Sequence, residues 1–426
     1  GTYTINGSFT NNTGGKIINP GVIRVKNGQV KGLNHQDTGR FEFLEKSNRQ
    51  EIPNIRFYQL VIKNKTDKFV SDVDTNDLGE VLPLIVQDSL IIDDSTSFYT
   101  SWVNRRVVTP KAAGPIKNQS GIGGDNYLQV INEGRSQDIQ GKGIFMRIDM
   151  DNPHGVDVVN GGGFRVGSSL VLSRGVLRND SLNNFKMENG STIRRMSGAS
   201  VAYAPIFDST VNVQYAGGAP MVIGPEIPTD TSVLSSLSVD NLGGITLNRN
   251  VTVNKTLQLS ENINTEPSKD EKFMLTYHGR TNPEFSSYNA EVVGSFKRTY
   301  LPVAQRIFFN NSYTFLEFPS EEALGKTKSM TLRVKRKTFP ESPGGNDKVH
   351  RMIQMTPLDE NNVPVSTQIF ATIGYAWRHS DIDTAVDETR SLSFKDLRLQ
   401  RYIDNGWLDM KYAVVPAKWD TTYRWA

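Results

Sequence analysis

One ten-residue line is written three times in this chain: FYQLVIKNKT from Phe57, FMRIDMDNPH from Phe145 and LSSLSVDNLG from Leu234. Each reads apolar, two residues, apolar, one residue, apolar, one residue, Asn. The copies start 88 and 89 residues apart. Each has a companion downstream: Val86, Ser89, Leu90 and Ile92; Val166, Ser169, Leu170 and Leu172; Val253, Thr256, Leu257 and Leu259. A third line lies upstream, with Gln50 and Ile52, then Gln137 and Ile139, then Met221 and Ile223. Three lines in constant order are an internal repeat, and a repeat decides the fold before any single element does.

A unit of about 87 residues is too long for one solenoid coil, which takes roughly 20 to 30, so it holds three or four coils. Short alternating runs broken by NNTGG, NQSGIGGDN, NGGG and NLGG read as strands with one buried face and turns that need positive φ. Inward positions must then be apolar, and corners must be Gly, Asn or Asp. Asn64, Asn152 and Asn241, one after each line, suit such corners. The pattern predicts an all-β chain: right-handed parallel β-helix-like repeats over residues 1–265, the first one partial, followed by an antiparallel β-sandwich over residues 266–426. A row of β-sandwich modules is the alternative for the repeats.

The boundary is placed at NTEPSKDEK, residues 264–272, beyond which the strands lengthen. MTLRVKRKTFP puts Leu332 and Val334 on one face, with Thr331, Arg333, Lys335 and Lys337 on the other. The cluster Arg333, Lys335, Arg336 and Lys337 reads either as a binding patch for anionic polysaccharide or lipid head groups or as charge that protects a strand edge.

Composition narrows the function. Lys+Arg is 48 against Asp+Glu 45, a net of +3, without the concentrated basic face that nucleic acid requires. There is no apolar run long enough for a membrane helix. The chain has no cysteine, so disulfide staples and thiol chemistry are out. SDVDTNDLGE holds Asp72, Asp74 and Asn76, oxygen ligands at the alternate spacing Ca²⁺ prefers, although the EF-hand pattern fails at Asp77 and Pro83. That loop is the first weak metal candidate and HSDIDTAVDE, with Asp381, Asp383 and Asp387, a second; no other cofactor is expected. The five histidines are far apart in sequence, and no catalytic set converges. Arginines in NRR (Asn104 to Arg106) and IRR (Ile193 to Arg195) are the candidates for lining a polysaccharide groove. Trp407, Trp419 and Trp425, with Tyr412 and Tyr423, crowd the C-terminal end and read as sugar-stacking groups, a docking anchor or packing within the sandwich.

Residues 241–264, NLGGITLNRNVTVNKTLQLSENIN, resemble the repeats of large secreted surface proteins of the Bacteroidetes–Chlorobi–Ignavibacteria group. Gly244, Ile245, Thr246 and Leu247 match that family's turn, while Lys255 stands where it often has Gly. NGSTIRRMSG (189–198), VVGSFKRTY (292–300) and Tyr313, Thr314, Phe315 and Pro319 extend the resemblance to roughly residues 1–320. The resemblance implies extracellular, cell-surface origin and export by a type IX-like system, without specifying an activity. It also implies O-glycosylation at Asp-Ser/Thr triplets such as Asp88-Ser89-Leu90, Asp180-Ser181-Leu182 and Asp208-Ser209-Thr210.

The reading that follows is a non-enzymatic extracellular structural protein, a subunit of a filament or sheath assembled head-to-tail, with a segment of a large adhesin or a carbohydrate-active β-helix as alternatives. YTINGSFTNN fits the second line, so the first repeat is partial and its open coil awaits a neighbour. Tyr3, Ile5 and Phe9 at one end, and Trp419, Tyr423 and Trp425 at the other, are the candidate assembly residues. Self-association is the expected partnership and glycans a second; nucleic acid and a membrane span are not expected.

Overall fold

The computed structural model describes residues 1–17, 20–26, 30–36, 38–46, 50–53, 56–64, 67–70, 84–92, 98–99, 107–109, 116–118, 126–159, 163–268, 270–280, 284–287, 290–312, 314–336, 351–365, 372–374, 376–377, 400–403, 406–409 and 424–425. It is nearly all β, about 2% helical, and forms a parallel β-solenoid of about ten turns. Its compact units are Gly1–Ala219 with Ile223–Leu237, and Pro220–Val222 with Ser238–Ala426.

The first unit is built from parallel strands that stack coil on coil. Three stacks of inward residues define its faces. One runs Phe145, Val166, Met187, Phe207. A second runs Leu128, Ile148, Leu170, Ile193, Val213. A third contains Val156, Leu177 and Val201. Apart from the half-buried Phe207, all are at most 3% exposed. Removing these rows from water is the main stabilising term, at about 25 cal/mol per Å² of apolar surface. Aromatic rings fill the wider coils: Phe41 and Phe57 meet edge to face at 5.4 Å, and Phe164 stacks on Phe185 at 5.3 Å.

The repeated lines pair as neighbours. Phe57, Leu60 and Ile62 lie on Val86, Leu90 and Ile92, and Phe145, Ile148 and Met150 lie on Val166, Leu170 and Leu172. The first line spaces its apolar residues by three and the companion by four. The extra residue is absorbed as a β-bulge at the same place in both copies, between Phe57 and Gln59 and between Phe145 and Arg147.

The first two copies do not fall in one column. Leu60 belongs to a stack that comes from Ile23 and Phe41 and continues through Leu90, Ile116, Ile139 and Val158. Ile148, its sequence equivalent, belongs to the stack of Leu128 and Leu170. Ile139 and Ile148 occupy successive faces of one coil, so 88 residues are not a whole number of turns. Corner length is the cause: stacked partners are 18 residues apart at Val22 and Arg40 but 30 apart at Leu60 and Leu90.

The corner asparagines behave as their chemistry requires. Asn64 adopts φ +74° and donates to the Leu44 carbonyl at 2.5 Å. Asn152 is fully buried; its amide donates to the Arg135 carbonyl at 3.0 Å and its oxygen accepts from the His154 N–H at 2.9 Å. Asn241, also fully buried, donates to the Gly244 carbonyl at 2.7 Å.

In the second unit, parallel stacking continues past residue 265, through Met221, Ile245, Ile263 and Val292 and through Val251, Leu275 and Phe296. The strand Ser329–Arg336 then pairs antiparallel with Val292–Arg298 on one side and with Arg351–Leu358 on the other. It is an inner strand as far as Val334, so Arg333 has no edge to protect, whereas Lys335 and Arg336 are paired on the Arg351–Leu358 side alone and Lys337 lies outside the described residues. Further antiparallel pairs join Arg306–Phe308, Phe315–Glu317 and Thr372–Gly374. Among the described residues these last three strands form one small sheet, Ser329–Arg336 and Arg351–Leu358 extend the sheet of Val292–Arg298, and a sandwich is not established.

Candidate functional site

The densest chemistry lies on the outside of the first unit, where the register brings distant residues together. Asp138, Asp157 and Arg178 occupy successive rungs of one column. Arg178 grips Asp157 with both arms of its guanidinium, Nε to Oδ1 at 2.5 Å and Nη2 to Oδ2 at 2.8 Å, and donates Nη1 to the His154 carbonyl at 2.9 Å. Hydrogen bonding from Arg178 holds the Asp157 carboxyl below the usual aspartate range. Asp138 moves the other way: partial burial, reinforced by the charge of Asp157, pushes its carboxyl up. Beside them Arg174 bonds Glu133 at 2.5 Å and also Asp151, which raises its own pKa further above the usual arginine value.

A second strip mixes neutral polar and charged groups. Tyr127, Arg147, Ser169, Thr192 and Asn212 share one row, and Gln129, Asp149, Val171, Arg194 and Gln214 a second. Parallel pairing spaces such rows at about 4.8 Å. Asp149 is the node: its Oδ2 accepts from Tyr127 at 3.5 Å and Gln129 at 3.3 Å, and its Oδ1 from Ser173 at 3.1 Å.

A third cluster is internal. Met150, Leu172, Arg195 and Tyr215 are successive members of one column. Arg195 meets Glu226 at 2.6 Å and the Ala199 carbonyl at 2.7 Å, and it lies 5.9 Å from the Tyr215 ring. Glu226 is fully buried and also accepts from the Tyr215 hydroxyl at 2.7 Å and the Gly224 N–H at 2.9 Å. Of the two IRR arginines, then, only Arg194 stays exposed toward solvent. NRR lies outside the described residues.

The candidates read from sequence fall as follows. Asp72, Asp74 and Asn76 lie outside the described residues; among those described, no group of three metal-ligating side chains comes together. Tyr3 is 66% and Phe9 37% exposed, while Ile5 packs partly against the core. Trp425 sits in a short strand paired antiparallel with Ala376–Trp377, and Trp419 and Tyr423 lie outside the described residues. Arg333 grips Glu266, Nη2 to Oε2 at 2.8 Å, so it is not a free patch for anions. His278 meets Thr299 at 2.6 Å, and burial with the nearby Lys297 charge lowers its pKa. The triplet Asp180-Ser181-Leu182 forms an exposed turn with Leu182 83% exposed, whereas Asp88-Ser89-Leu90 is buried within a strand. No described helix is long and apolar enough to cross a membrane.

Sequence reasoning missed Asp138, Asp157, Arg178 and Glu226, and read Arg195 as a groove residue where it is the partner of buried Glu226. The Asp138–Asp157 signal is a 19-residue spacing that becomes meaningful only once the coil length at that point is known. No protein-family model, curated protein or solved structure matches the chain.

Proposed function

We propose that this chain is a structural, non-enzymatic element of an extracellular surface assembly, a solenoid scaffold that associates with further copies of itself in a filament or sheath. The observation that supports this best is how its charges are used. Arg24–Glu42, Arg165–Glu188, Arg178–Asp157 and Lys186–Asp208 each join residues about one coil apart in sequence. Singly, exposed pairs of this kind contribute under about 1 kcal/mol, but a ladder of them keys successive coils into register. In these four pairs the charge joins neighbouring coils. Electron microscopy of native cell-surface material tests the reading. Regular filaments carrying this chain at a constant axial repeat are expected; isolated particles would overturn it.

The strip around Asp149 favours a second reading, glycan binding along the coils. It expects retention of a soluble polysaccharide by the immobilised protein and loss of retention in Tyr127→Ala and Arg147→Ala. No retention across neutral and acidic polysaccharides removes it.

A further inference from the structure

Lysine is a poor residue to place inside a solenoid, yet Lys68 is 0% exposed. It starts the strand Lys68–Val70, which pairs in parallel register with Gln50–Ile52 so that Lys68 lies directly on Gln50. Their backbones are about 4.8 Å apart in such a pair. Gln50 is 2% exposed and Glu45, in the preceding corner, 4%. Glu45 holds both neighbours. Its carbonyl accepts from Lys68 Nζ at 3.0 Å, and its N–H donates to the Gln50 carboxamide oxygen at 3.0 Å. The Gln50 carboxamide is fixed at its other end by donation to the Val25 carbonyl at 3.1 Å. An amine and a carboxamide on consecutive coils are thus tethered to one residue that carries a buried carboxyl group.

We propose that Lys68 and Gln50 join in an intramolecular amide bond, with Glu45 carrying the proton, as a covalent staple between two coils.

The chemistry balances without any added reagent. The Nζ lone pair attacks Gln50 Cδ, and the carbonyl electrons move onto Oε1, where the Glu45 N–H already donates. The Glu45 carboxylate takes a proton from Nζ and delivers it to Nε2. The Cδ–Nε2 bond breaks and ammonia leaves. One primary amine and one primary amide become one secondary amide and ammonia, with no change in oxidation state. Burial assists the first step: it lowers the Lys68 pKa to about 8 against the pull of Glu45 and Asp67, so the ammonium gives up its proton more readily than that of an ordinary lysine. The product is uncharged, which relieves the cost of a buried ammonium. In a chain without cysteine, an amide is the staple that remains open.

Mass spectrometry of the full-length folded protein tests this. The expected intact mass is the sequence mass less one ammonia. Cleavage at lysine should yield a branched species joining residues 47–63 to residues 66–111, because Lys68 no longer presents a cleavable side chain. That mapping separates the cross-link from cyclised asparagine, which loses the same mass at one site. Glu45→Gln, folded by circular dichroism, should show the unlinked mass, as should Lys68→Met. Recovery of Lys68 and Gln50 unmodified from the wild-type protein overturns the proposal. Full cross-linking in Glu45→Gln overturns the role given to Glu45.

Discussion

Arg195 Nη1 lies 2.6 Å from Glu226 Oε1, in a column whose other members, Met150, Leu172 and Tyr215, are apolar or aromatic. The Glu226 side chain is fully buried and that of Arg195 is 12% exposed. Removing one partner leaves the other charged in a low dielectric, at a cost of about 3–5 kcal/mol. Glu226→Leu should therefore lower the melting temperature sharply. The pair itself adds little over an apolar substitute, so Arg195→Met with Glu226→Leu should recover most of the loss. A double variant whose loss equals the sum of the two single losses would show that the two residues act independently.

Gly175 tests the corner at Asn152. It adopts φ +81°, and a Cβ there would sit 2.0 Å from the Asn152 carbonyl oxygen. Both the left-handed backbone and the contact with the chain of the coil before it oppose any side chain. Gly175→Ala should cost about 2 kcal/mol or more. Gly190, at φ +76°, has open space where its Cβ would go, so Gly190→Ala should suffer the backbone penalty alone. Denaturant titration of the two variants separates the contributions.

These sites also show how far the residues alone lead. Asn152 and Asn241 were readable as corners because each closes an apolar line, and a corner needs a side chain able to bond its own backbone. The bulge opposite Gln59 was readable in principle, since a line spaced by three cannot lie on one spaced by four without it. The face on which each line sits was hidden. It depends on corner lengths, such as the stretch between Ile62 and Leu84, that carry no periodic signal. Arg195 read as a surface cation because its partner is 31 residues away. Lys68 was obscured for a similar reason: it ends the polar run KNKTDK, which reads as a solvated turn.

The register makes a deletion test possible. Ile148 lies on Leu170, so excising residues 148–169 joins Arg147 to Leu170 and removes one complete coil of 22 residues. In a solenoid each coil contacts only its neighbours, so the shortened protein should refold and melt cooperatively, within about 10 °C of the parent. Excising residues 148–158 instead removes half a coil and turns the downstream strands onto the wrong faces. That variant should lose its cooperative transition in circular dichroism. Equal behaviour of the two deletions would contradict the coil register.

Asp138 and Asp157 should give opposite pH signatures. The folded-state pKa of Asp157 lies below the ordinary value of 3.8, so its ionised form favours folding. That contribution is complete above 3.8 and disappears as pH falls through the lowered value. Asp157→Asn should therefore melt earlier than wild type at pH 7, with the gap closing in acid. Asp138 has a raised folded-state pKa, so its penalty is absent below 3.8 and complete only above the raised value. Asp138→Asn should melt later than wild type at pH 7 and coincide with it in strong acid. The substitution also frees Asp157 of a like charge, which acts in the same direction. Melting curves between pH 2 and 7 decide the matter. Parallel shifts of both variants at every pH would mean that Asp138 and Asp157 contribute through packing, and that Arg178 does not set their charges.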